Sequence, residues 1–276
     1  MGFNFIDKLI YDIMNFQELA GKYKSELLDS VLPFWLEHSQ DKQYGGYFSC
    51  LERDGSVYDT DKFVWLQGRE VWLFSMLYNK VEPRKEWLEC AVQGGEFLKK
   101  YGHDGDYNWY FSLTRDGQPL IDPYNIFSYT FATMAFAQLA VASGNKEYAD
   151  IAKKTFDRVL EKRQHPKGKW CKGHPGTRPI KDFALPMILC NLTLEIEQLI
   201  DRKLIDETIE TCLHEVMEVF SRKIWGLSSR MFRPRITRWS IRSRGARSIR
   251  AIRSRRCGLS WIWANGSTVP TLSTRP

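Results

Sequence analysis

The sequence predicts an all-α fold in which successive helix pairs build a ring, an α/α toroid. Seven segments before residue 223 repeat apolar side chains at about the 3.6-residue interval of an α-helix. Mostly apolar segments alternate with clearly amphipathic ones, which is typical of an inner and an outer layer of helices. Two loops of similar sequence separate helix pairs, and this indicates internal repetition.

The predicted helices end at ordinary helix-stop signals. Gly102 follows the third helix, and Gly144 separates the fourth from the fifth. Pro186 falls in the first turns of the sixth helix, where proline is best tolerated. The predicted helices cover residues 16–37, 62–80, 84–101, 124–143, 145–163, 182–200 and 204–222.

The two similar loops each predict a β-hairpin. Their sequences are GGYFSCLERDGSVYDT at 45–60 and NWYFSLTRDGQPLIDP at 108–123. Arg-Asp-Gly between short aromatic or β-branched runs predicts a tight turn, because glycine accepts a positive φ. Arg53 and Arg115 are 62 residues apart, about the length of one helix pair plus a hairpin.

Bulk properties narrow the class of protein. A chain of 276 residues is long enough for one or two domains. Its six cysteines form no Cys-x-x-Cys pair, which favours a reducing compartment and no metal site. No apolar run is long enough to cross a membrane, and the N-terminus lacks the pattern of a signal peptide. We therefore expect a cytoplasmic protein that does not bind a membrane.

The charge pattern changes abruptly near residue 228. Residues 1–227 carry all 33 acidic side chains and a net charge of −5, whereas residues 228–276 carry 12 arginines and no acidic side chain. An Arg-rich segment that also contains Trp239, Trp261 and Trp263 could bind nucleic acid by phosphate contacts and base stacking. A non-enzymatic nucleic-acid-binding protein is therefore the alternative of a different class.

The densest polar and aromatic cluster is KFVWLQGREVW at 62–72. In a helix, Lys62, Trp65 and Arg69 would share one face, and Gln67 would lie off it. A guanidinium beside an indole suits a sugar, because the fork binds oxygens and the ring stacks on C–H faces. A core tryptophan with a salt-bridged arginine is the competing interpretation. By themselves the residues predict a helical toroid and suggest a sugar or polyol site.

Residues 34–78, which contain HSQDKQYGGYF and KFVWLQGR, resemble the N-acylglucosamine 2-epimerase family. The stretches DPYNIFSYTFATMAFAQLA at 122–140 and FALPMILCNLTLEIEQL at 183–199 resemble it as well. The resemblance implies an (α/α)6 barrel, present here as about seven of twelve helices. We expect residues 15–227 to form this part of the barrel, after an N-terminal extension at 1–14. Residues 228–276 are expected to remain unfolded.

The resemblance implies C2 epimerisation of a reducing sugar, of the N-acetyl-D-glucosamine to N-acetyl-D-mannosamine type, by removal and return of the C2 proton. Cellobiose or mannose chemistry is the alternative within the family. By motif, Arg69 matches the family's substrate arginine, and Trp65, Gln67 and Asn191 match pocket positions. Lys62 joins this predicted substrate-binding set. No cofactor is expected, a nucleotide effector has no assignable site, and the full-length form is expected to be a homodimer.

The family's two catalytic histidines match no histidine of this chain. One belongs to an Asn-Pro-Gly-His-x-x-Glu motif that should follow soon after Leu227. A nucleotide string can be written that encodes EGRQINPGHTIEAMWF and that, read one nucleotide late, gives residues 244–258 as they stand. The sequence therefore predicts a frameshift between about Leu227 and Ser229, and a chain that is truncated and inactive as written.

Overall fold

The computed structural model describes residues 16–123, 125–163, 181–222, 227–228 and 231–232. The chain divides into two compact units, the first ending at Pro166 and the second beginning at Lys167. All seven predicted helical segments are helical in the described residues, so the prediction of a mainly helical chain is confirmed.

Helices make up most of the first unit. A π-helical turn, Glu26–Val31, joins the first two, so the predicted segment 16–37 is one helical run. The predicted start at residue 62 is wrong, because Lys62 and Phe63 form a short strand and the helix begins at Val64. The described helices of this unit are α1 (Phe16–Ser25), α2 (Leu32–His38), α3 (Val64–Lys80), α4 (Lys85–Tyr101), α5 (Phe127–Ser143) and α6 (Lys146–Lys162).

These helices form an inner and an outer layer. Helix α3 packs mainly against α5, while α4 packs on α3 and α6 packs on α5. Twelve of the 17 residues of α5 are buried, which is why its sequence is apolar on every side. Helix α6 buries only six and turns its charged residues outward. The alternation of apolar and amphipathic helices therefore follows from burial.

Both predicted hairpins form in the first unit. Strands β1 (Cys50–Leu51) and β2 (Val57–Asp59) make the first. In the second, β4 (Ser112–Leu113) pairs with β5 (Pro119–Ile121) and also with β3 (Lys62–Phe63). The turn glycines Gly55 and Gly117 have φ of +86° and +94°, a backbone that other residues rarely adopt.

The repeat includes the turn that precedes each hairpin. Asp41 Oδ1 accepts hydrogen bonds from the backbone of the residues two and three positions later, and Asp104 Oδ1 accepts them from the residues two and four positions later. The carbonyls of Ser39 and Gly102 accept from Phe48 and Tyr110. These pairs lie 62 or 63 residues apart, so each inner helix follows one copy of the same turn and hairpin.

The second unit contains α7 (Ala184–Glu195) and α8 (Arg202–His214), which pack against each other. A π-helical turn, Glu215–Phe220, follows α8. Strand pairing reaches Phe232, a few residues beyond the predicted boundary at 227. The strands are β6 (Lys181–Asp182), β7 (Ser221–Arg222), β8 (Leu227–Ser228) and β9 (Met231–Phe232), with β6 paired to β9 and β7 to β8. The predicted extension at 1–14 and residues 233–276 of the Arg-rich tail lie outside the described residues.

Candidate active site

An exposed arginine lies among aromatic rings on the inner layer of the first unit. The guanidinium carbon of Arg69 is 5.8 Å from the ring centre of Trp65 and 5.3 Å from that of Phe131. The two rings are 6.0 Å apart and tilted by 48°. In the part of the chain that the structure describes, no carboxylate pairs with Arg69. Its N–H donors therefore remain available to a ligand.

Helix geometry and close packing produce this cluster. Trp65 and Arg69 are four residues apart on α3, which places them on one face. Gly68 lies between them against the backbone of Phe131, and a Cβ atom at this position would come within 2.9 Å of the Phe131 carbonyl oxygen. The absence of a side chain at Gly68 lets α5 approach α3 closely enough for Phe131 to reach Arg69.

Lys62 does not share this face, contrary to the expectation from the sequence. Because it lies on β3, its side chain is directed into a buried ion cluster with Asp41 and Arg115. Its ammonium donates to Asp41 Oδ2 at 3.0 Å and to the carbonyls of Gly45 and Arg115 at 2.6 and 2.7 Å. The side chain is 0% exposed and its three protons are used. Lys62 therefore joins two loops, and this geometry does not favour substrate contact.

The same cluster connects the two hairpins of the unit. Arg115, in the turn of the second hairpin, donates to both oxygens of Asp41 at 2.9 and 3.2 Å. Burial opposes ionisation of Asp41, but hydrogen bonds from Arg115 and Lys62 outweigh it and lower the pKa of the carboxyl to about 2. Burial lowers the pKa of Lys62, although Asp41 acts in the opposite direction. Asp41 stands in no local sequence pattern that marks it, because Lys62 and Arg115 lie 21 and 74 residues away.

Gln67 also has an internal role in the structure. It is fully buried, and its amide donates to the carbonyl of Tyr47 and accepts from the Tyr47 N–H, both at 2.8 Å. Sixty-two residues later, Tyr129 lies at the aligned position of the next inner helix, and its hydroxyl donates to Asn108 Oδ1 of the second turn at 3.3 Å. The placement of Gln67 off the Trp65–Arg69 face is confirmed, and its amide is occupied by the backbone.

Asn191 lies on α7 and is partly buried in the second unit. The structure places Trp65 and Arg69 together in the first unit, with Gln67 behind them. The roles of Trp65, Arg69 and Asn191 in substrate binding stay predictions, as do those of Lys62 and Gln67, whose polar groups have internal partners.

Glu70 is a second residue that sequence patterns did not reveal. It follows Arg69 on α3, and its carboxyl contacts the hydroxyl of Ser39 at the end of α2. Burial raises the pKa of Glu70 to about 8, and the hydrogen bond from Ser39 only partly opposes this. The acid is therefore largely neutral at pH 7. Ser39 and Glu70 are 31 residues apart, so no local spacing predicts their contact.

The described ranges hold no group of three or more His, Cys, Asp or Glu side chains arranged to bind a metal ion. None of their helices is long and apolar enough to cross a membrane.

Comparison with known proteins identifies the family. The profile of the family described as N-acylglucosamine 2-epimerase (GlcNAc 2-epimerase) matches residues 46–235. This chain belongs to the N-acylglucosamine 2-epimerase family. It is 40% identical over 203 residues to the N-acylglucosamine 2-epimerase of Rattus norvegicus, covering 71% of this chain and 48% of that protein. It is 42% identical over 191 residues to that of Bos taurus, covering 66% and 44%.

The chain spans about half the length of the curated relatives that it matches. Identity to cellobiose 2-epimerases is lower, at 30% over 145 residues for that of Ruminococcus albus, covering 51% of this chain and 36% of that protein. The cellobiose 2-epimerase structure from Spirochaeta thermophila superposes with a TM-score of 0.64 at 22% identity, covering 74% of this chain and 55% of that one. This likeness confirms the (α/α)6 barrel fold, of which the chain supplies an incomplete set of helices.

Proposed function

We propose that this chain is part of a sugar 2-epimerase that interconverts N-acetyl-D-glucosamine and N-acetyl-D-mannosamine. The observation that carries the proposal is the exposed guanidinium of Arg69 between Trp65 and Phe131, with no carboxylate partner among the described residues. The higher identity to N-acylglucosamine 2-epimerases than to cellobiose 2-epimerases supports the choice of an N-acyl sugar.

The cluster provides groups that recognise a sugar. A guanidinium directs several N–H donors toward hydroxyl and carbonyl oxygens in a planar fork. The faces of Trp65 and Phe131 offer apolar area to the C–H groups of a sugar. The cation and the rings also attract each other, which holds Arg69 in place without neutralising its charge. This arrangement binds and orients a sugar but contains no general base.

His103 does not supply that base. His103 accepts from the Gly105 N–H at 3.0 Å and lies between the rings of Tyr107 and Trp109. Burial lowers the pKa of His103, although Asp104 acts in the opposite direction, so the imidazole is neutral at pH 7. Removal of a proton beside a carbonyl needs acid and base groups that titrate near neutrality.

We propose that the acid and base are missing because residues 228–276 are read in a shifted frame, and that the chain as written does not epimerise sugars. The loss of acidic side chains after residue 227 and the nucleotide reading of residues 244–258 support this proposal. Sequencing the source DNA across codons 225–232 tests this proposal. A frame continuing through Asn-Pro-Gly-His-x-x-Glu after a one-nucleotide correction would support it, and an unaltered frame would contradict a recording error.

Sugar binding tests the function without requiring turnover. Titration of the 276-residue chain with N-acetyl-D-glucosamine, followed by tryptophan fluorescence, should show saturable binding that Arg69→Met abolishes. Arg53→Met is the matched control, because Arg53 is an exposed arginine on the first hairpin. Equal affinity of the Arg69→Met variant and the unaltered chain would contradict the role of Arg69. Tighter binding of cellobiose or mannose would indicate that one of those sugars, and not N-acetyl-D-glucosamine, is the substrate.

We further propose a cytoplasmic enzyme that needs no cofactor and that dimerises in its full-length form. A nucleotide effector has no assignable site among the described residues. The nucleic-acid alternative depends on the Arg-rich segment 228–276, most of which lies outside those residues, and it stays a prediction.

A further inference from the structure

Gln67 fastens helix α3 to the turn that precedes the first hairpin. Its amide pairs with both backbone polar groups of one residue: Oε1 accepts from the Tyr47 N–H, and Nε2 donates to the Tyr47 carbonyl, both at 2.8 Å. Gln67 and Tyr47 are 0% exposed, so water cannot replace either hydrogen bond. A glutamine amide provides a donor and an acceptor and carries no charge, which suits it to this pairing.

The backbone of the turn is shaped for this close approach. Gly46 directly precedes Tyr47 and has a φ of +69°, a conformation that residues with a side chain rarely adopt. A Cβ atom at Gly46 would come within 2.7 Å of Gln67 Oε1 and within 2.8 Å of the Phe97 ring. The turn therefore reaches the Gln67 amide because a glycine stands at this position.

Gln67 lies on the side of α3 opposite the Trp65–Arg69 face. Consecutive residues of a helix are about 100° apart around its axis, so Gln67 lies about 180° from the midpoint between Trp65 and Arg69. The next residue, Gly68, packs against the backbone of Phe131. Contacts behind and beside the first turns of α3 therefore fix its rotation about its own axis, and with it the direction of the Arg69 guanidinium.

The internal repeat shows that the fold does not require a glutamine at this position. Tyr129 stands at the aligned position of α5, 62 residues later, and its hydroxyl donates to Asn108 Oδ1 of the second turn at 3.3 Å. The second copy connects its inner helix to its turn through a hydroxyl, over a longer distance. The amide that pairs with the backbone belongs to the helix that carries Arg69.

We propose that Gln67 is a positioning residue of the Arg69 site. Its two hydrogen bonds hold the first turns of α3 in place, so that Trp65 and Arg69 face a sugar in one fixed orientation. Binding sites need their side chains held to within about 0.5 Å and 10–20° by contacts behind them. The inference rests on the proposed function, in which Arg69 binds sugar oxygens, and it gives Gln67 a role in binding that needs no contact with the sugar.

Sugar binding by the 276-residue chain tests the inference. Gln67→Met keeps the volume of the side chain but removes both hydrogen bonds. It should weaken binding of N-acetyl-D-glucosamine about tenfold, as expected when one hydrogen bond to a charged group is lost. Asn79→Leu is the matched control, because it removes two hydrogen bonds to Gln138 at 3.0 Å near the other end of α3, and it should leave the affinity unchanged. Equal losses of affinity in both variants would reflect general destabilisation and would overturn the inference.

Amide hydrogen exchange in the unaltered chain tests the same coupling without a substitution. If Gln67 couples the turn to the sugar site, bound sugar must strengthen the Tyr47–Gln67 contact by the same factor, because coupling between two sites is reciprocal. Saturating N-acetyl-D-glucosamine should therefore slow exchange of the Tyr47 N–H about tenfold more than that of the Tyr110 N–H, which donates to Gly102 in the second turn. Equal slowing of both amides would assign Gln67 a purely structural role.

The outcomes distinguish this inference from the proposed function. Unchanged sugar affinity in Gln67→Met, with binding that still depends on Arg69, would overturn the role of Gln67 alone. Absence of sugar binding by the unaltered chain, while it remains folded by circular dichroism, would overturn both the sugar site and the role of Gln67.

Discussion

Replacement of Asp41 by asparagine should destabilise the first unit strongly. The substitution keeps the shape of the side chain but removes the negative charge that faces the ammonium of Lys62. Lys62 is 0% exposed and Asp41 is 1% exposed, so water cannot replace the lost partner. Arg115 also loses its partner, but its side chain is 38% exposed and can be hydrated instead.

The size of the effect follows from the pKa and from burial. Lowering the pKa of Asp41 from 3.8 to about 2 corresponds to roughly 2 kcal/mol that favours the ionised carboxyl in the folded state. An unpaired buried charge adds to this cost, and breaking one partner of a buried ion pair typically costs about 3–5 kcal/mol. We therefore expect Asp41→Asn to lower the free energy of unfolding by about 3 kcal/mol or more.

Urea unfolding of the full chain at pH 7, followed by tryptophan fluorescence, measures the change. The matched control is Asp104→Asn at the aligned position of the second turn, whose exposed carboxylate binds Asn108 and backbone N–H groups. It should cost about 1 kcal/mol. Asp41→Asn combined with Lys62→Met should be more stable than Asp41→Asn alone, because no buried charge remains. An Asp41→Asn variant within about 1 kcal/mol of the unaltered chain would refute the reasoning.

The pH dependence gives a second check on Asp41. Its pKa is lower in the folded state, so its contribution is fully present above pH 3.8 and is lost as pH falls toward about 2. The stability difference between the unaltered chain and Asp41→Asn should therefore shrink over this acidic range. A difference that stays constant with pH would assign the effect to packing instead of charge.

Two further substitutions test the packing of the first unit by urea unfolding. Gly94→Ala should destabilise it by about 2 kcal/mol, because a Cβ atom would come within 2.3 Å of the Tyr47 ring. The matched control Gly21→Ala has open space around it and should stabilise helix α1 by about 0.5–1 kcal/mol. Equal effects of the two substitutions would contradict the close contact at Gly94. Thr155→Val should cost about 1–3 kcal/mol, because it leaves the indole N–H of the buried Trp109 without its acceptor at 3.1 Å, and a neutral result by the same assay would contradict that hydrogen bond.

Local spacing predicted much of the secondary structure and two of the three side chains that cluster at Arg69. Apolar periodicity located all seven helical segments, and Arg-Asp-Gly located both hairpins, because these patterns reflect burial and turn geometry within a few residues. The four-residue spacing of Trp65 and Arg69 placed both on one helix face. The same reasoning misplaced Lys62, because strand pairing with Leu113 delays the start of the helix to Val64.

By itself the sequence determined the helical class, the repeated turn and hairpin, and the family that the motifs around Arg69 resemble. Only the tertiary structure decided which charged groups are buried and which partners they have. Asp41 meets Lys62 and Arg115 across 21 and 74 residues, and Ser39 meets Glu70 across 31. Such contacts arise when helix pairs pack, and no period along the chain encodes them. Hydrogen bonds from Arg115 and Lys62 keep Asp41 ionised although burial opposes this, whereas burial raises the pKa of Glu70.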